Sequence, residues 1–147
     1  MALSSLNTAA AADAGRPIEL LHPSTQVPIG IRFFVLGTDS QEFRRITRKQ
    51  QAELLEKQKK TRRGMYMPTP EEREENELTL LVGLTKGWEE TTSDGSVRNE
   101  IELNPGEFVP FTPEAVKKIY ADIGFSWIRE QIDSEIGDRR DFLPNAK

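Results

Sequence analysis

The sequence predicts an α+β fold, with an N-terminal β-hairpin packed on a mainly α-helical domain of about four helices and a small second hairpin near 90–103. Three observations predict it. Apolar residues alternate from Ile29 to Val35, which is the period of a half-buried strand. Thr-Pro-Glu openings at Thr69 and Thr112 each start a run with helical spacing. Ser93-Asp94-Gly95 is a turn signal set between two strand-like runs.

A chain of 147 residues is one domain's worth. Residues 1–16 read as a flexible leader, in which Ala9–Ala12 would become helical on contact with a partner. The domain follows as 17–143 and a tail as 144–147. Within it, 17–37 is the hairpin, with Ile18–His22 and Val27–Leu36 as strands around Pro23-Ser24-Thr25. Asp39 and Glu42 have the spacing of a capping box and open a helix that runs to about Arg62, so 39–63 is a basic helix and connector. The apolar stripe of this helix, Phe43, Ile46, Leu54 and Leu55, is broken by Lys49-Gln50-Gln51, so its second half is expected in solvent or against a partner. Lys57–Tyr66 reads as a mobile connector.

Residues 69–88 form the expected core helix. Thr69 caps it, Pro70 takes the first position, and Leu78, Leu81, Val82 and Trp88 fall on one side. Gly83 inside it would let another backbone approach closely. Residues 89–110 read as a polar insertion that holds the second hairpin. The C-terminal helix pair spans 112–137, with Val116, Ile119, Tyr120 and Ile123 in its first member. Ile128, Ile132 and Ile136 stand at i, i+4, i+8 in the second, and Gly137 is its expected left-handed stop.

The residue inventory excludes several chemistries. There is no cysteine, hence no disulfide, thiolate metal site or thiol nucleophile. His22 is the single histidine, which rules out two-histidine metal sites and leaves it a structural or surface role. No phosphate loop, dinucleotide fingerprint or nucleophile elbow is present, and the glutamates crowd helix starts. The sequence thus offers no catalytic residue, cofactor site or metal site, and a non-enzymatic role is expected. No run approaches the roughly 20 apolar residues of a membrane helix.

Charge is the most patterned property. Residues 39–64 carry 9 basic and 4 acidic side chains, whereas 65–110 carry 3 basic and 11 acidic. Opposite blocks on one chain suit a head-to-tail homo-oligomer, in which the basic helix of one copy meets the acidic segment of the next. The candidate contact residues are Arg44, Arg45, Arg48 and Lys49 on one side and Glu71, Glu72, Glu74 and Glu75 on the other. Trp127 joins them as an aromatic anchor near the end of the chain. The same arginines could instead neutralise phosphates, although the chain is net acidic at −4 and lacks a base-stacking set.

Two ends of the sequence carry a resemblance. Thr8-Ala-Ala-Ala-Ala-Asp-Ala-Gly15, Ile18-Glu-Leu-Leu-His-Pro23, Ile29-Gly-Ile-Arg-Phe33 and Gly37-Thr-Asp-Ser40 open it. Phe111-Thr-Pro-Glu114, Phe125-Ser-Trp-Ile-Arg-Glu-Gln-Ile-Asp133, Ile136-Gly-Asp-Arg139 and Phe142 close it. In this order they resemble tail assembly chaperones of long-tailed bacteriophages, over about half of the chain; 89–107 is more polar than the resemblance implies and reads as an insertion. The resemblance implies a small, largely helical protein of the host cytoplasm, absent from the mature virion. It would coat the tape measure protein, keep it soluble and pass it to the tail tube protein. A longer form made by ribosomal frameshifting is implied as well, which a chain ending soon after a helix fits. The alternatives are a permanent neck or minor tail structural protein and a nucleic-acid-binding regulator that uses 44–63.

Overall fold

Four antiparallel strands, neighbours in the sheet in their chain order, share a core with the C-terminal helices, and a separate two-stranded ribbon completes the strands. The computed structural model describes residues 2–61, 66–138 and 142. Among them the order is α1 (Thr8–Ala14), β1 (Arg16–Leu21), β2 (Pro28–Val35), α2 (Gln41–Lys60), α3 (Pro70–Leu84), β3 (Thr85–Thr91), β4 (Val97–Arg98), β5 (Glu100–Asn104), β6 (Glu107–Pro110), α4 (Pro113–Ala121) and α5 (Ser126–Ile136). The mixed α+β class, the N-terminal hairpin and a small second hairpin are as the sequence predicts.

The core follows from the alternation in β2. Phe33 and Val35 are fully buried beneath α3, α4 and α5, while Arg32 on the opposite face bonds Glu89 at 2.7 Å and Thr91 at 2.8 Å. Phe33 faces Trp88 across the β2–β3 pair, with ring centroids 5.4 Å apart, and meets the ring of Tyr120 on α4 at 6.1 Å. Aromatic contacts of this geometry add roughly 0.5–1.5 kcal/mol beyond the area they bury.

Several boundaries differ from the sequence expectation, each for a local reason. The leader is structured over Thr8–Ala14: Asn7 accepts from the Ala9 and Ala10 amides, and Ala12 is buried against Gly37. The cap of α2 is Ser40 rather than Asp39. Its buried hydroxyl accepts from the Phe43 amide at 3.2 Å, and Asp13 of α1 accepts from the Gln41 amide at 2.6 Å. Helix α2 continues through Lys60, so 57–60 is not a connector; Arg62–Met65 lie outside the described residues, as does the tail 144–147.

Helix α3 stops at Leu84, not near Gly87. Thr85 turns extended, its hydroxyl donates back to the Leu81 carbonyl at 2.8 Å, and the Leu36 amide of the neighbouring segment donates to the Leu84 carbonyl at 2.9 Å. Trp88 is thereby a strand residue. The span 89–110 is part of the body of the fold. It supplies the last three residues of β3 and all of β4, β5 and β6, and places Ile101 in the core. On the outer face Arg32 pairs with Glu89, whereas Glu90, opposite Ile31 on the other face, pairs with Arg98. Finally, Gly137 has φ −77°, so α5 ends without a left-handed stop.

Candidate partner-binding site

Three of the predicted acidic residues lie against cations of the same chain. Helices α2 and α3 pack together, and Lys57 reaches Glu72 at 3.0 Å. Glu75 meets Lys117 of α4 at 3.2 Å, and Glu74 meets Arg129 of α5 at 3.7 Å. Exposed pairs of this kind contribute little stability each, and they link α3 to its neighbouring helices. Glu71 is exposed and has no ion pair among the described residues.

Glu72 is the most strongly perturbed of the group. Hydrogen bonds from the Tyr66 hydroxyl and then from Lys57 hold its carboxyl down at about 2. The same contacts raise the pKa of Tyr66 and of Lys57. This cluster lines a shallow cleft of about 170 Å³ between α2 and α3, with Leu54 and Pro68 as its apolar walls.

The basic residues stand apart. Arg44, Arg45, Arg48 and Lys49 are all exposed on the first half of α2, and only Ile46 of that helix is buried. Arg45 bonds Glu42 one turn earlier, whereas Arg44, Arg48 and Lys49 have no ion pair among the described residues. Within one chain these arginines pair with none of the acidic residues of α3 among the described residues.

Trp127 is half-buried and stands between two clefts. One, of about 110 Å³, is apolar and lies where the helical layer leaves the sheet partly uncovered. Ile29 and Ile31 of β2 form its floor, Leu103 of β5 one side, and Phe125, Trp127 and Ile128 the other. Leu103 remains 37% exposed, and Ile123, in the 3-10 turn before α5, is 89% exposed. Strand β4 is only two residues long, and β5-β6 form a sheet of their own. The alternation in β2 marks Ile29 and Ile31 as inward-facing, but nothing in the sequence says that the cover stops short of them.

The other cleft, of about 410 Å³, runs between β1 and α5. Its floor is the outer edge of β1, where the Gln131 side chain accepts from the Leu21 amide and donates to the Leu21 carbonyl, both at 2.9 Å. This amide substitutes for a neighbouring strand and closes an edge that would otherwise invite pairing. Glu19, Glu130 and Glu135 line the cleft, and Glu135 bonds Arg16.

His22 is structural, because its Nδ1 accepts from the Ser24 and Thr25 amides and so holds the β1–β2 turn. Among the described residues no cluster of three or more metal-ligating side chains occurs, and no helix is long and apolar enough to cross a membrane. Comparison with family models, with curated proteins and with solved structures gave no match.

Proposed function

We propose that this chain is a tail assembly chaperone of a long-tailed bacteriophage, which binds the tape measure protein and keeps it soluble until the tail tube polymerises around it. The observation that carries the reading is the apolar cleft beside Trp127, open to solvent and rimmed by Leu103. It supports a site for apolar side chains projecting from a helix. The order of sequence elements at the two ends of the chain supports the family.

The size of the cleft says how such a protein would work. It has room for little more than one leucine-sized side chain, whose burial contributes roughly 1.5–3 kcal/mol. With the costs of association subtracted, a single contact of this size is no stronger than the millimolar range, about −4 kcal/mol. A long helical partner with many apolar positions would instead take up many copies, each exchanging readily. Linked weak contacts give avidity without a tight individual site, and they let polymerising tube protein displace the copies one after another.

The same reading places the protein in the host cytoplasm and not in the finished particle. Mass spectrometry of purified virions distinguishes it from a permanent neck or minor tail protein. A chaperone is absent or far below one copy per particle; recovery at a fixed stoichiometry with the structural proteins would reject the proposal.

A further inference from the structure

We propose that the arginine face of α2 docks in the β1–α5 groove of a second copy of this chain. Helix α2 has 20 residues, so it is ~30 Å long, and it is held to the body through buried Ile46, partly buried Phe43 and a few polar contacts with α1 and α3. Arg44 and Arg48, like Arg45 and Lys49, are spaced i, i+4 and form two adjacent rows on its exposed first half. A cationic face of this kind, with Arg44, Arg48 and Lys49 outside any ion pair among the described residues, calls for an anionic partner.

The complement is on the same chain but not where the charge blocks of the sequence point. Glu72, Glu74 and Glu75 of α3 are engaged by Lys57, Arg129 and Lys117. The carboxylates of Glu19 and Glu130, which line the β1–α5 groove, are exposed and have no ion pair among the described residues. Asp133, also exposed, lies three residues beyond Glu130 on α5. Trp127 forms one wall. Carboxylates beside an aromatic ring fit a guanidinium, which binds an oxygen pair in plane and stacks on the ring face, better than they fit an ammonium.

The two surfaces are made by different elements, the arginine face by α2 and the groove by β1 and α5. A donor face and a different acceptor face make a heterologous contact, which propagates to a third copy or closes into a ring. Copies so joined would form a sleeve along an elongated partner, although the contact itself does not depend on the tape measure reading.

The test is sedimentation of the full chain with paired charge reversals. At about 50 mM salt the wild-type mass should rise with concentration above the 16.7 kDa monomer, and should fall back toward it by about 500 mM as exposed charges are screened. Arg44→Glu with Arg48→Glu, and separately Glu19→Arg with Glu130→Arg, should each remain monomeric while an equimolar mixture of the two associates. Arg44→Gln with Arg48→Gln should weaken association without reversing the charge. A wild-type chain that stays monomeric at about 50 mM salt overturns the proposal, as do reversals that associate like the wild type. So does a nucleic-acid gel shift abolished by the arginine reversals in a chain that does not self-associate, which would assign the face to phosphate.

Discussion

Ile46 of α2 lies so tightly over Gly83 of α3 that a Cβ at position 83 would collide with its Cδ1. Gly83 costs up to ~1 kcal/mol of helix propensity relative to alanine, and in return α2 approaches closely enough to bury its one core side chain. Gly83→Ala is expected to destabilise the wild type by about 1 kcal/mol, overpacking outweighing the helical gain. In an Ile46→Val background, which lacks the clashing methyl, the same change should become stabilising by up to ~1 kcal/mol. A double-mutant cycle by urea denaturation checks the change of sign; additivity of the two substitutions would contradict the contact.

Thr85 and Tyr120 share a buried hydroxyl contact of 2.7 Å. Thr85 donates to the Leu81 carbonyl, so the Tyr120 hydroxyl donates to Thr85. Burial pushes the Tyr120 phenol well above its ordinary pKa. Tyr120→Phe removes one donor and leaves the Thr85 donor satisfied, at a cost of about 1 kcal/mol. Thr85→Val strands a buried phenol hydroxyl and should cost more, about 2 kcal/mol, nearer the penalty for an unsatisfied group. Thermal denaturation of the two variants should rank them in that order.

Gln131 holds the edge of β1 through two hydrogen bonds to Leu21. Gln131→Leu should lower stability by about 2 kcal/mol, near 1 kcal/mol per bond. It should also speed hydrogen exchange at the Leu21 amide and promote aggregation through the freed edge. An unchanged exchange rate would show that the edge is protected in some other way.

Glu72 provides the pH dependence. Its folded pKa of about 2 lies below the ordinary 4.5 because Tyr66 and Lys57 bond the carboxylate. The stabilisation is therefore fully present above the unfolded value and is lost as pH falls through about 2. Carboxyl-carbon chemical shifts should place the midpoint of Glu72 near 2, and Tyr66→Phe should move it upward. A wild-type midpoint near 4.5 would mean that the three side chains are not joined in solution.

The class of fold was legible because two local signals were strong: the alternation of β2 and the Thr-Pro-Glu caps of α3 and α4. What the sequence hid depends on tertiary context. The end of α3 at Leu84 is set by a hydrogen bond from Leu36, far away along the chain, and Trp88 fits a helical stripe as well as a strand. The charges of 89–110 read as solvated because the partner of Glu89, Arg32, sits on another strand. Of the candidate contact residues, the exposed arginines of α2 were legible from their spacing. The pairing of Glu72, Glu74 and Glu75 was not, because the helix order decides which cations face them. The cleft beside Trp127 arises from where the helical layer ends, and no local pattern encodes that.

The most direct measurement of the central claim is co-expression of the chain with the tape measure protein, followed by separation of soluble and pelleted fractions. The wild-type chain should hold most of the partner in the soluble fraction. Leu103→Glu with Ile123→Glu, which changes only exposed or partly exposed side chains, should leave the chain folded and release the partner to the pellet. A tape measure protein equally insoluble with and without the wild-type chain, or equally soluble with the variant, would contradict the chaperone reading.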